Sequence, residues 1–197
     1  AAYSSYGPTD DGRIKPDVVG NGENLFSSEA GSNAAYGNSS GTSMAAPNVT
    51  GTVALIAEHY DNTFGALPNA ATAKGLVIHS AADAGNTGPD YAYGWGLVNA
   101  ADAATFITSA AAGVGGDALL EGSYTGTELT YKFVSTTGAS VKATIVWTDA
   151  PGAAQAAGLD IRNPVLVSDL DLTITDESGT AYYPWTLDPN NPAAPAI

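Results

Sequence analysis

The sequence contains no cysteine, so no disulfide bond contributes to its fold. Basic residues are also scarce: six lysines and arginines stand against 20 acidic residues, for a formal net charge of −14. This balance argues against a nucleic-acid partner and against an anionic membrane surface, because both carry negative charge themselves. The sequence also lacks a signal-peptide pattern and any apolar run long enough to span a membrane.

The 197 residues suffice for one domain or two small ones, and the hydrophobic pattern changes along the chain. The first part favours helices, separated by glycine-rich and proline-rich turns. We expect a short strand over residues 13–19, a surface loop over 25–38, and helices over about 42–60, 70–80 and 99–108. Asn69 is the predicted N-cap of the second helix, since asparagine is a favoured capping residue.

After a small-residue linker, apolar and polar residues alternate with a period of two. This pattern is typical of half-buried β-strands and is found in residues 129–133, 141–148 and 170–174. It predicts a β-sandwich of roughly five strands, whereas a jelly roll needs about eight. We therefore expect this second domain to be truncated.

Residues 41–47 read Gly-Thr-Ser-Met-Ala-Ala-Pro and predict a glycine turn that leads directly into a buried helix. Ser43 falls in the first turn, where backbone N–H groups lack partners and the helix dipole favours negative charge. A hydroxyl held there could attack a carbonyl, and the oxyanion would lie beside free donors. The competing interpretation is a structural serine that caps the helix.

These seven residues closely resemble the serine motif of the subtilisin-like serine proteases, the subtilases, and the family's following glycine recurs at Gly51. The resemblance implies that Ser43 is the nucleophile and that its backbone N–H, with Thr42 beside it, forms part of the oxyanion hole. Residues 7–19 and 93–100 also resemble subtilases. The segment at 20–22 departs from the family, with Gly-Asn-Gly where Ala-Pro-Gly is usual.

The order of motifs resembles subtilases that carry a C-terminal β-sandwich. The resemblance implies the C-terminal portion of an α/β subtilisin-like catalytic domain over residues 1–110, a linker over 111–116, and a β-sandwich or jelly-roll domain, incomplete, over 117–197. The second domain shows the family's Trp-x-Asp-Ala-Pro pattern at 147–151 and an acidic, leucine-containing pattern at 168–172.

A serine hydroxyl needs a base to take its proton, and a carboxylate to orient that base. Subtilases place both before the serine, but no histidine occurs among the 42 residues before Ser43. His59 lies 16 residues along the same predicted helix, about 24 Å away, so it and His79 are interpreted as residues of helix C-termini. The order Ser43, Asp61, His79 fits an α/β-hydrolase, but the elbow lacks its final glycine.

Acidic residues suggest a second site. Asp169 and Asp171 lie two apart in a predicted strand, so both carboxylates would point to one face, and Asp149 follows another strand. Calcium prefers such oxygen ligands, and related subtilases bind calcium in this kind of domain. The alternative is a strand face that is simply solvated.

The sequence thus predicts a C-terminal piece of a secreted, extracellular serine endopeptidase that cleaves protein or peptide substrates through an acyl-enzyme on Ser43. We expect the piece to be inactive without the missing N-terminal half of the catalytic domain, and calcium is the candidate cofactor. The alternative is a non-catalytic module that binds or stabilises.

Overall fold

Three α-helices form the centre of the computed structural model, which describes residues 1–114, 118–135, 138 and 140–197. The helices are α1 (Thr42–Phe64), α2 (Ala70–Ser80) and α3 (Ala100–Ala111). Two small antiparallel hairpins flank them: β1 (Leu25–Ser28) with β2 (Tyr36–Ser39), and β3 (Ile174–Thr175) with β4 (Ala181–Tyr182). Among the described residues, no helix combines the length and apolar character needed to cross a membrane.

The three predicted helices are confirmed, and α2 has the predicted bounds. Asn69 occupies the N-cap position of α2, although its side chain makes no capping hydrogen bond. Asn99 does cap α3, because its side-chain oxygen accepts from the N–H of Asp102. α1 continues one turn beyond the predicted end and stops at Gly65, whose left-handed conformation at φ 78° suits a residue without a Cβ.

The buried core lies where the three helices meet. Ala103 and Ile107 of α3 are completely buried, and they pack with Ile56 and Tyr60 of α1 and with residues of α2. Alanine at position 103 lets the helices approach closely, while isoleucine at 107 fills the space between them.

We expect Ile107→Ala to lower the free energy of unfolding by about 2–5 kcal/mol, because it removes buried methylene groups and leaves a cavity. Leu55→Ala is the matched control, because Leu55 is 62% exposed. This substitution should lower the free energy of unfolding by less than about 1 kcal/mol. Urea unfolding of both variants tests this prediction. Equal losses would mean that the core lies elsewhere.

The prediction that α1 is buried on almost every face is wrong. Within α1 only Ile56 and Tyr60 are buried, and residues such as Ala46, Pro47 and Leu55 are exposed. Small apolar side chains permit close packing, but burial also requires a neighbouring element. The main contacts of α1 with other elements are those with α3 and α2, which leave much of its surface exposed.

The predicted strand over residues 13–19 is also wrong. Only Val19 forms a parallel bridge, to Leu97, through hydrogen bonds from the Val19 N–H to Gly96 and from the Val98 N–H to Val19. Pro16 has no N–H to donate, so a longer ladder is interrupted. The bridge nevertheless ties the start of the chain to the segment that enters α3.

Residues 25–38 were predicted to be a loop, and this prediction is wrong because they contain most of a hairpin. Leu25 pairs with Ser39 and Ser28 with Tyr36, in antiparallel register. The segment is rich in glycine, serine and asparagine, which are typical of loops and concealed the strands. Cross-strand pairing and a contact between two aromatic rings favour the hairpin instead.

The predicted strands over 129–133, 141–148 and 170–174 are not confirmed in the structure of this chain. Of the alternating segments, only Ile174 enters a strand, in the two-residue pairing of β3 with β4. Leu129, Tyr131 and Phe133 are each more than half exposed. A half-buried strand needs both a partner strand and a core to cover, and the described residues supply neither. The β-sandwich is therefore not confirmed, and residues 115–117, where the linker was predicted to end, lie outside the described residues.

The second half of the chain contacts the helices through a few polar groups. The Lys142 ammonium donates to the main-chain carbonyl of His79 at 2.6 Å, at the C-terminal end of α2. A cation is favoured there by the helix dipole. Leu119 adds an apolar contact to the core. These contacts join Leu119 and Lys142 to the helices, and the described residues between the two form no sheet.

Candidate active site

The predicted nucleophile, Ser43, is the second residue of α1. Gly41 is the N-cap, with φ at 154°, a backbone conformation that a residue with a Cβ rarely adopts. The helix starts with the N–H groups of Met44 and Ala45, which donate to the Gly41 carbonyl at 3.0 and 3.2 Å. The Ser43 side chain is exposed, and its hydroxyl has no hydrogen-bond partner among the described residues.

The N-terminus of α1 is open. No side chain caps it, and its first turn contains no acidic residue. The N–H groups of Thr42 and Ser43 have no acceptor among the residues that the structure describes. The capping interpretation of Ser43 is therefore wrong, and the unpaired donors beside its hydroxyl are suited to an oxyanion.

Two hydrogen bonds hold the segment that leads into Ser43. The Gly41 N–H donates to the carbonyl of Gly22 at 2.7 Å, and the Asn24 N–H donates to the Ser40 hydroxyl at 2.8 Å. Gly22 lies so close that a Cβ there would be 2.7 Å from the Gly41 carbonyl oxygen and 2.9 Å from the Ala45 Cβ. The positioning roles of Gly22 and Ser40 were not predicted. The glycine retained at 22, where the rest of the family pattern changes, was the available signal.

Neither histidine is hydrogen-bonded to Ser43. The prediction that His59 lies at the C-terminus of α1 is wrong: it is within the helix, and its Nε2 lies 3.0 Å from the Thr108 hydroxyl on α3. A cleft of about 280 Å³ beside His59 is lined by residues of α1 and α3, and Ser43 is not among them. His79 does lie in the last turn of α2, where its Nδ1 is 3.0 Å from the Thr144 hydroxyl. Its hydrogen bond goes to Thr144 and not to Asp61, so the hydrolase alternative gains no support.

The environment of His79 predicts a dependence of stability on pH. Burial lowers the pKa of His79 below its ordinary 6.5, and the nearby Lys142 charge lowers that pKa further. Since the folded protein binds this proton more weakly, acid favours the unfolded chain. The contribution is fully present above pH 6.5 and is lost as the pH falls through the folded-state pKa.

We therefore expect the melting temperature to fall between pH 7 and pH 5, and His79→Gln to reduce that fall. Glutamine remains neutral over this range and keeps a polar group for Thr144. Thermal unfolding at a series of pH values tests the prediction. An identical pH profile for the variant would show that other groups dominate.

The predicted calcium ligands are not brought together. Asp149 accepts hydrogen bonds from the Ser168 N–H at 2.5 Å, the Ser168 hydroxyl at 3.3 Å and the Ala150 N–H at 2.9 Å. The Ser168 N–H is the main reason that the pKa of Asp149 lies below its ordinary value. No group of three acidic or histidine side chains in the described part of the chain could hold a metal. In this arrangement Asp149, Asp169 and Asp171 do not form a calcium site, and calcium binding stays a prediction.

The serine at the open helix end belongs to a segment that is shared with a known protein family. Residues 1–96 match the model of the subtilase family. The match covers just under half of the 197 residues, so this segment of the chain is similar to subtilases.

The chain is similar to several proteases. C5a peptidase of Streptococcus pyogenes is 44% identical over 62 residues, which are 32% of this chain and 5% of that protein. The extracellular serine protease of Serratia marcescens is 37% identical over 94 residues, or 47% of this chain and 8% of that protein. The PII-type proteinase of Lactococcus lactis subsp. cremoris is 40% identical over 60 residues, or 30% of this chain and 3% of that protein.

The chain thus matches less than a tenth of the length of these curated relatives. Among solved structures, a lanthipeptide protease is 40% identical to it, covering 36% of this chain and 21% of that one, with a TM-score of 0.34.

Proposed function

We propose that this chain supplies the nucleophile part of a secreted subtilisin-like serine endopeptidase. The observation that carries the proposal is the exposed Ser43 hydroxyl, free of partners among the described residues, beside the unpaired N–H groups at the start of α1. The protease relatives and the subtilase match of residues 1–96 support the reaction class.

The reaction begins when a base takes the proton from the Ser43 hydroxyl and the Oγ attacks the carbonyl carbon of a peptide bond. The carbonyl oxygen becomes an oxyanion, and the Ser43 N–H, with Thr42 beside it, donates to it. The C–N bond then breaks as the base returns the proton to the leaving amine. The resulting ester on Ser43 is hydrolysed by water, which regenerates the serine.

We infer that the base comes from other polypeptide. His59 lies 16 residues beyond Ser43 in α1, about 24 Å along the helix axis, and neither it nor His79 hydrogen-bonds to Ser43, since each contacts a threonine instead. The missing part is the N-terminal half of the catalytic domain, which would bring an imidazole and the carboxylate that orients it. The chain alone is therefore inactive.

The substrate is a protein or peptide, and the location is outside the cell. A substrate in extended form would lie against the segment before Ser43, as in β-strand addition. The similarity to an extracellular protease supports secretion.

We further propose that residues 117–197 belong to a β-sandwich or jelly-roll domain, whose strands form when neighbouring strands are present. The exposed, alternating side chains of Leu129, Tyr131 and Phe133 support this, because they would cover a core if the segment paired. Amide hydrogen exchange in a longer chain tests the proposal, since pairing would slow exchange at residues 129–133.

The decisive experiment is labelling with a serine-directed fluorophosphonate, followed by peptide mapping. We expect the full-length protease to be labelled at Ser43 and the isolated chain to remain unlabelled under the same conditions. Phenylmethanesulfonyl fluoride should block labelling in competition. No label at Ser43 in the full-length protein would refute the proposal and favour a non-catalytic binding or stabilising module.

The oxyanion role of Thr42 makes a separate prediction. Thr42→Pro removes the backbone donor, and proline is well tolerated at the first helical position, so the helix should still form. We expect kcat of the full-length protease to fall by about 10²- to 10³-fold, the usual loss for one oxyanion donor. Thr42→Ala keeps the donor and should change kcat by less than about tenfold. Similar kcat values for Thr42→Pro and Thr42→Ala would show that the Thr42 N–H does not stabilise the oxyanion.

A further inference from the structure

Two aromatic rings stack on the solvent side of the first hairpin. Phe26 of β1 and Tyr36 of β2 have ring centroids 5.7 Å apart and planes inclined by 20°. Because Phe26 is paired with Asn38, Tyr36 is its diagonal neighbour on the same face. We call Phe26 and Tyr36 the aromatic pair.

The aromatic pair is open to solvent. Phe26 is 73% exposed and Tyr36 is 61% exposed, although both have large apolar surfaces. Adjacent exposed rings of this kind are a usual feature of binding surfaces, since they offer apolar area at a low cost in conformational entropy.

The hairpin that carries the aromatic pair is fixed to the segment before Ser43. Its base is held by the Gly41–Gly22 and Asn24–Ser40 hydrogen bonds described above. Tyr36 precedes Ser43 by seven residues, so the two lie within about 25 Å even if the intervening chain were fully extended. An extended substrate peptide of about seven residues spans the same distance.

We propose that the aromatic pair binds an apolar or aromatic side chain of the polypeptide substrate, no more than about seven residues from the scissile bond. The pair is thus a specificity determinant for a part of the substrate remote from the reaction. The inference rests on the proposed function for its biological meaning, but the contact itself can be measured without catalysis. We assign the substrate as the ligand of the aromatic pair because the hairpin is continuous with the segment that leads into Ser43.

The test uses the chain as it is, in an NMR titration with two decapeptides. Both consist of glycine and serine with one terminal lysine, and only one of them carries a central phenylalanine. We expect the phenylalanine peptide to shift the resonances of Phe26 and Tyr36, and the control peptide to leave them unchanged. Phe26→Ser should weaken binding by about three- to tenfold, the value of one aromatic contact.

Tyr6→Ser is the matched control variant, because Tyr6 is also 61% exposed but lies outside the hairpin. It should leave the affinity unchanged. Tyr36→Phe keeps the ring and should also bind normally. Equal shifts with both peptides, or equal weakening by the Phe26 and Tyr6 variants, would overturn the proposal. If the resonances of the aromatic pair shift with protein concentration in the absence of any peptide, the surface binds a second copy of the chain instead.

A second arm uses the full-length protease. For the phenylalanine decapeptide, Phe26→Ser should lower kcat/KM by about three- to tenfold, mainly by raising KM. The kcat/KM for a dipeptide substrate, which is too short to reach the aromatic pair, should not change. Loss of activity towards both would make the hairpin a structural support of Ser43. Failure of Ser43 to react with fluorophosphonate would refute the proposed function, whereas the NMR titration would still decide on the aromatic pair.

Discussion

We expect Ser43→Ala to lower kcat/KM of the full-length protease for peptide substrates by at least about 10⁴-fold. The substitution removes the oxygen that forms the acyl-enzyme, so the reaction would have to proceed by direct attack of water. The backbone donors at the start of α1 remain, and they account for the small residual rate. Steady-state hydrolysis of a chromogenic peptide measures the loss.

Ser27→Ala is the control for this experiment, because Ser27 is an exposed serine of β1 outside the helix terminus. It should leave the rate unchanged. Because the Ser43 side chain is exposed and makes no described hydrogen bond, its replacement should also leave the melting temperature within about a degree. A Ser43→Ala protease that retained a tenth of its activity would assign the nucleophile to another residue.

We expect the isolated chain to hydrolyse the same peptide at least about 10⁴-fold more slowly than the full-length protease. Without an imidazole in reach, the Ser43 hydroxyl stays protonated and is a weak nucleophile. The measurement compares kcat/KM of the two proteins at equal concentrations of folded material, with the fold of the chain checked by circular dichroism.

Addition of the N-terminal half of the catalytic domain to the isolated chain should restore activity, provided that the two parts associate. His59→Gln and His79→Gln are informative controls, since neither should alter the restored rate. Full activity in the isolated chain, lost on replacement of His79, would show that this histidine leaves Thr144 and serves as the base.

The helices were predictable because their signals are local. α2 begins after Asn69, which occupies the N-cap position, and lies between turn segments, and its observed ends match the prediction. The length of α1 was underestimated: a loop was expected from residue 61, but the helix continues to Phe64 and ends at Gly65. Residue preferences and turn chemistry act within a few positions, so they can be read from sequence.

The strands were not predictable in the same way. The hairpin over 25–39 has a loop-like composition yet pairs, whereas residues 129–133 alternate strictly and remain unpaired. Pairing depends on which other segment lies alongside, and that information is distant in sequence. The same reason explains why α1, with apolar residues on most faces, is exposed over much of its surface.

The sequence by itself determined the subtilase segment, the place of Ser43 in it, and the lack of a histidine before that serine. These are matters of residue identity and order. Only the tertiary structure decided that the start of α1 is open, that Gly22 and Ser40 hold the segment leading to it, and that both histidines are hydrogen-bonded to threonines distant in sequence. Such facts depend on contacts between distant residues, because hydrogen bonds and burial are satisfied in space and not along the chain.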